Sequence, residues 1–265
     1  MSLNELESKS IYVIRDAYNK FGRYMALLWS TGKDSTTLIH LFKKAFFGKV
    51  PFPVIYIDTS FKFKEMYEFR DRYVKEWNLN LVIARNEEAI KKGINYNDYD
   101  IATCCHELKT KALQKAVDRY RLKALMVGIR RDEHGVRNKE RYFSHRDKEF
   151  RWDYLNQPAE VWDLFITEDK ESGHFRVHPL LHWTELDVWG YIKKEGIPVN
   201  PLYFANNGKR YRSLGCEPIT KAIDSNASNV NEIIGELSNT KTEERAGRDV
   251  DKEENMQKLR ALGYM

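Results

Sequence analysis

Tyr24-Met25-Ala26-Leu27-Leu28-Trp29-Ser30-Thr31-Gly32-Lys33-Asp34-Ser35 sets an apolar run directly against a small polar turn. Residues 24–29 read as a strand buried on both faces, as in a parallel sheet. Beyond the turn, Leu38, Leu41, Phe42 and Ala45 recur at helical spacing, which predicts a helix from Ser35 to about Phe46. A turn between a buried strand and a helix lies at the carboxyl edge of a parallel sheet, where such sheets bind ligands. Gly32 lets the backbone come close to an anion, and the amides that open the next helix favour one. Ser30, Thr31 and Ser35 add hydroxyls, and Lys33 adds a positive charge. The turn therefore reads as a phosphate cradle. It is not a Walker A loop, because Asp34 follows Gly-Lys and the leading glycine is missing. The competing reading is an ordinary strand–helix turn with a surface lysine.

Outward from this turn the chain alternates strands and helices. Val54–Ile57, 79–84, 124–128 and a shorter run at 175–179 read as further strands. Helices are predicted over about 5–22, 63–77, 107–120 and 184–194, the last opened by an N-cap at Thr184. Residues 93–103 read as a loop, and 130–175 as polar and irregular. This alternation predicts an α/β fold with a parallel sheet flanked by helices. Residues 1–200 are expected to form the nucleotide-binding α/β domain. Residues 201–265 are expected to be a polar, irregular C-terminal extension with helical stretches at 229–237 and 251–262.

The chain has 265 residues, 42% hydrophobic and 31% charged, enough for a folded core without disulfides. No apolar run approaches the ~20 residues that a membrane helix needs, and no signal peptide opens the chain. A cytoplasmic location and no membrane partner are the expectation. Net charge is +5, and the basic residues between Arg119 and Arg151 are interleaved with acids. That pattern suits a small-anion site better than a nucleic-acid surface. The three cysteines, Cys104, Cys105 and Cys216, do not make a disulfide framework.

The turn resembles the Ser-Gly-Gly-Lys-Asp-Ser signature of the PP-loop ATP pyrophosphatases, the adenine nucleotide α-hydrolase superfamily, with Thr31 where that family usually has a glycine. Further blocks resemble the small, catalytic subunit of the two-subunit bacterial sulfate adenylyltransferases. They are residues 52–59 with 63–71, Gly128 to Glu133, Lys139-Glu140-Arg141, Arg151-Trp152-Asp153, His178-Pro179-Leu180, 214–220 and 242–248. The resemblance implies a Rossmann-like fold and the transfer of the adenylyl group of ATP to sulfate, with pyrophosphate released. It also implies Mg²⁺ and a GTPase large subunit as partner. The same superfamily holds the reductases of adenylyl sulfate and phosphoadenylyl sulfate, and sulfur-transfer enzymes that use iron–sulfur clusters. Cys104-Cys105 points towards these, but a second Cys-x-x-Cys is missing. The connection from Pro201 to Leu214 is shorter than the adenylyltransferase pattern.

On that resemblance, Ser30, Thr31, Gly32, Lys33, Asp34, Ser35, Asp58 and Gly128 would bind ATP. Lys33, Arg130 and Arg131 would carry the catalysis by neutralising charge that develops on phosphoryl oxygens. Arg137, Lys139 and Arg141 would extend a sulfate or anion site. Asp34 or Asp58 would hold Mg²⁺ or orient the ribose, and Asp58 reads equally well as a helix cap. Cys104, Cys105 and Cys216 would be iron–sulfur ligands if a cluster is present, and buried thiols otherwise. Sulfate is already an anion, so no histidine is required as a base.

Overall fold

A computed structural model describes every residue except 168–172, 241–243, 246–247, 253, 256–257 and 260–265. Its main sheet has six strands: β1 (Met25–Leu28), β2 (Val54–Ile57), β3 (Leu81–Ala84), β4 (Ala124–Met126), β5 (Phe143–Arg146) and β6 (His174–Val177). They lie in the order β3-β2-β1-β4-β6-β5, all parallel except β5, which runs antiparallel to β6. Leu27 pairs with Val54 on one side and Met126 on the other, so β1 is central. The chain winds outward through β2 and β3, then crosses back to β4. The strand order therefore reverses between β1 and β4, which opens a crevice at their carboxyl ends.

Alternation along the strands divides the core. Met25, Leu27, Val54 and Met126 face helices α1 (Leu3–Phe21), α2 (Lys33–Ala45), α3 (Lys64–Glu76) and α7 (Glu185–Glu195). Ala26, Ile55 and Leu125 face α6 (Lys111–Tyr120) through Leu113, Ala116 and Val117. A capping box of Ser2 with Glu5 starts α1, and one of Thr184 with Asp187 starts α7.

Four elements depart from the expected layout. Helix α2 begins at Lys33, so Lys33 and Asp34 lie in its first turn. The expected loop at 93–103 ends early: Asp100 accepts a hydrogen bond from the Thr103 amide and starts α5 (Ile101–Cys105), which runs through a π-turn at His106–Thr110 into α6. A short α4 (Glu87–Lys91) precedes it. The region 130–175 contains the edge strand β5. Its polar side chains hide it in sequence, yet Ser144 and Arg146 are buried because both bind the Glu140 carboxylate.

Beyond residue 200 come a small hairpin of β7 (Lys209–Arg210) and β8 (Ile223–Asp224), then α8 (Val230–Asn239). Tyr203, Ala227, Ile233 and Leu237 join the core that α1 and α2 build. Half of the residues of the helix expected at 251–262 lie outside the described residues.

Candidate active site

A cavity of about 290 Å³ opens at the carboxyl ends of β1, β2 and β4. Leu28, Ile55, Ile57 and Leu113 form an apolar end. The head of α2, the exit of β4, residues 203 and 213–215, and Glu244, Arg245 and Arg248 form a charged end.

The 30–35 turn is closed by its own hydrogen bonds. The Ser35 hydroxyl accepts from the Ser30 amide at 3.2 Å and donates to the Gly32 carbonyl at 3.1 Å. Thr31 takes φ = 61°, a left-handed conformation that glycine adopts freely and a β-branched residue adopts only under strain. Its hydroxyl donates to the Ser30 carbonyl at 2.6 Å. Gly128 is required by close approach, because a β-carbon there would stand 3.1 Å from the backbone of Asp34.

Lys33 and Arg130 come together across the crevice, both buried. The Lys33 ammonium pairs with Glu244, with Asp34 at 3.2 Å and with Glu185 at 3.9 Å. Arg130 pairs with Asp34, Glu244, Asp132 (2.9 Å) and Glu133 (3.8 Å). Burial works against the charge on Lys33, but Glu244 and Glu185 outweigh it and raise its pKa. Burial likewise opposes the charge on Glu244, and Arg130 and Lys33 hold its carboxyl well below the usual range. Both cations therefore stay charged.

The other expected site residues divide. Ser30, Gly32, Asp34, Ser35, Gly128 and Arg137 line the cavity. Thr31 is buried within the turn. Arg131 points away, towards His182 and the Glu140 carbonyl. Asp58 accepts from the Ser60 amide and the Tyr67 hydroxyl, both at 2.8 Å, and does not line the cavity. Lys139 is exposed, with its ammonium 4.0 Å from the Tyr154 ring centroid. Arg141 is likewise absent from the cavity wall, and its amide donates to the Ser144 hydroxyl. Glu133, Arg176, Tyr203, Glu244, Arg245 and Arg248 line the site but were not singled out from sequence. The charged run at 243–248 was visible as a block, but nothing local joins it to Lys33, some 200 residues earlier.

The cysteines separate. Cys104 donates to the Asn95 carbonyl at 3.0 Å and packs in a different cluster from Cys105 and Cys216. Burial pushes the Cys104 thiol up to about 11. Cys105 accepts from the Lys109 ammonium at 3.5 Å, while Cys216 lies 3.2 Å from the Thr59 hydroxyl and accepts from the Tyr96 hydroxyl at 3.3 Å. Burial opposes ionisation of Cys216, but Lys109 and Lys62 bring its thiol down to about 6. Among the described residues no three metal-ligating side chains converge, so the three thiols do not fit an iron–sulfur cluster.

Residues 24–222 match the phosphoadenosine phosphosulfate reductase domain family. Relatives named "Sulfate adenylyltransferase subunit 2" include one from Pseudomonas paraeruginosa PA7, 40% identical over 99% of this chain and 97% of its own. Another, from Saccharophagus degradans, is 41% identical with the same coverage. The first alignment spans 298 positions, more than this chain's 265 residues, so that relative carries segments absent here. Among solved structures, phosphoadenylyl-sulfate reductase from Candida auris shares the fold with a TM-score of 0.59 at 19% identity, covering 83% of this chain and 98% of its own. Candida glabrata FMN adenylyltransferase, solved with FMN and an ATP analogue, has a TM-score of 0.56 at 18% identity, covering 98% and 82%.

Proposed function

The chain belongs to the sulfate adenylyltransferase subunit 2 family, and from that premise we propose that the cavity between α2 and β4 is where it transfers the adenylyl group of ATP to sulfate. The observation that carries this reading is the pair of buried cations, Lys33 and Arg130, held together at the switch point of a parallel sheet. The apolar end at Leu28, Ile55 and Ile57 suits adenine. The triphosphate then lies along the head of α2, where the helix N-terminus and Lys33 attract its charge.

A sulfate oxygen attacks the α-phosphorus as the bond to the α,β-bridging oxygen breaks, and pyrophosphate leaves with that electron pair. No proton has to move. Lys33, on the cavity wall, takes charge on the departing phosphates, while Arg130 does not itself line the cavity and adds positive charge from behind Asp34 and Glu244, with which it pairs. Arg137, Arg176 and Arg248 give the cavity further cationic wall for the attacking sulfate. Mg²⁺ takes one or two carboxylates plus phosphate oxygens, and Asp34, on the cavity wall, would hold it there. When bound it would neutralise phosphate charge. Asp58 does not line the cavity and is not assigned this role.

The relatives' name, subunit 2, implies a larger partner subunit. The partner proposed here is a GTPase, whose hydrolysis would offset an unfavourable adenylylation equilibrium. The test is sulfate-dependent release of pyrophosphate from ATP, with and without that partner. Absence of sulfate-dependent turnover in both conditions would overturn the reading.

A further inference from the structure

The head of α2 offers an anion two donors from one residue, the Lys33 amide and the Lys33 ammonium. Both already hold oxygens from side chains beyond residue 200. The Lys33 amide donates to the Tyr203 hydroxyl at 2.8 Å, and a β-carbon on Gly32 would meet that same oxygen at 3.3 Å. Glu244 divides its carboxylate: Oε1 accepts from Lys33 Nζ, and Oε2 accepts from Arg130 Nη2. Tyr203 is 1% exposed and Glu244 7%. Two separate side chains thus lie where a polyphosphate would place its oxygens.

Charge makes the arrangement exclusive. Asp34, Asp132, Glu133, Glu185 and Glu244 all face Lys33 or Arg130. A triphosphate entering beside them meets like charge in a poorly screened site, so a carboxylate has to give way. Glu133 is held by Arg137 and Arg245, and Glu185 is gripped by Arg212 at 2.7 and 3.0 Å. Asp34 and Asp132 sit beside Lys33 and Arg130 in the chain. The described ion pairs of Glu244 are with Lys33 and Arg130 themselves. Four residues on, Arg248 is fastened separately, to the Ser213 hydroxyl at 3.1 Å and the Leu214 carbonyl at 2.9 Å, so its hold does not depend on the Glu244 carboxylate.

We propose that Tyr203 and Glu244 are placeholder ligands of the polyphosphate subsite, and that the triphosphate of ATP displaces the Glu244 carboxylate when it binds. The proposal rests on the reading of this cavity as an ATP site. It makes nucleotide binding an exchange of one anion for another, and it makes the position of the Glu244 side chain report on whether the subsite is filled.

The test measures binding of a non-hydrolysable ATP analogue, inorganic pyrophosphate and AMP to the full-length wild-type protein, Glu244→Gln and Tyr203→Phe, by calorimetry and by thermal unfolding. Glu244→Gln is expected to bind the analogue and pyrophosphate roughly tenfold tighter, because the competing charge is gone. AMP, which lacks the β- and γ-phosphates, is expected to bind it and the wild type alike. Ligand-free Glu244→Gln is expected to melt lower than wild type, and the analogue to raise its Tm by more. Tyr203→Phe keeps the ring packed on Trp189 and frees the Lys33 amide, so a smaller gain is expected. It decides the matter if Glu244→Gln does not fold. Equal or weaker analogue binding by the variants overturns the proposal and leaves the ATP reading standing. No analogue binding by wild type or variants overturns both.

Discussion

Gly128 and Ser35 meet backbone to backbone: a β-carbon on residue 128 would stand 3.1 Å from the Ser35 amide nitrogen and 3.2 Å from its Cα. The exit of β4 and the head of α2 therefore share one narrow space, and that contact sets the separation of Arg130 from Lys33. Gly128→Ala has to push the two elements apart by a few tenths of an ångström. We expect a stability loss of about 1–3 kcal/mol and a raised KM for ATP. Urea unfolding and steady-state kinetics measure both, and an unaltered midpoint with unaltered KM would contradict the account.

Replacing Lys33 removes the cation that Glu244, Asp34 and Glu185 share. Lys33→Met is expected to cost about 3–5 kcal/mol, because buried carboxylates lose a partner. Sulfate-dependent pyrophosphate release should fall by about 10²-fold or more. Lys33→Arg keeps the charge in a different shape, so it should recover much of the stability but little of the turnover. Recovery of both together would argue that the ammonium serves only the fold.

Thr31 holds a left-handed φ of 61° in a turn that fixes its backbone on both sides. A β-branched residue is strained there by about 1–3 kcal/mol, whereas glycine is not. Thr31→Gly is therefore expected to raise stability by about 1 kcal/mol, after allowance for the freedom glycine regains on unfolding. Chemical denaturation of the two proteins decides it; a lower midpoint for the glycine variant would show that the hydroxyl's bond to Ser30 is worth more than the strain.

The parts of this molecule that were legible in sequence are those set by local pattern. Runs such as Val54–Ile57 are buried on both faces, so their apolar residues are continuous, and the turn at Ser30–Ser35 carries its chemistry within six residues. Strand β5 was not legible, because Ser144 and Arg146 are buried through Glu140 and not through apolarity. Helix α5 followed from a single N-cap, Asp100, that has no hydrophobic period behind it. Glu244 and Tyr203 reach the site only by tertiary folding, and a sequence window cannot place an acid opposite a lysine more than 200 residues away.

Arg137 and Lys139 are two residues apart, yet the structure gives them different surroundings. Arg137 lines the cavity and pairs with Glu133, while Lys139 is exposed over Tyr154. Arg137→Ala is expected to raise the KM for sulfate or lower kcat by roughly tenfold or more, since it also leaves the buried Glu133 with one cation fewer. Lys139→Ala is expected to stay within about twofold of wild type, as a surface cation normally does. Initial-rate kinetics at varied sulfate separate the two. A large effect at Lys139 with none at Arg137 would move the anion site out of this cavity.

His174 and His178 lie behind the site on β6 and just after it, 2% and 0% exposed. Burial lowers the His174 pKa to about 2, with Arg176 and Arg146 adding to it. Burial also lowers His178, to about 4, although Glu140 pulls the other way. The His178 Nδ1 is 2.8 Å from the Arg141 carbonyl, a bond that the neutral ring makes as donor. In the unfolded chain each imidazole takes a proton near pH 6.5. Between pH 6.5 and 4 the unfolded state therefore binds protons that the folded state does not, and stability falls as pH drops through that window. Each histidine contributes a slope of about 1.4 kcal/mol per pH unit, fully developed about one unit below 6.5. Below about pH 4 His178 protonates in the fold as well and its share levels off, while that of His174 continues. Urea unfolding at pH 7.5, 6.5, 5.5 and 4.5 should show the loss, and His178→Gln, which cannot protonate, should make the slope between pH 5.5 and 4.5 shallower by about 1.4 kcal/mol per pH unit. A His178→Gln protein that weakens as steeply as wild type over that range would place the acid sensitivity elsewhere.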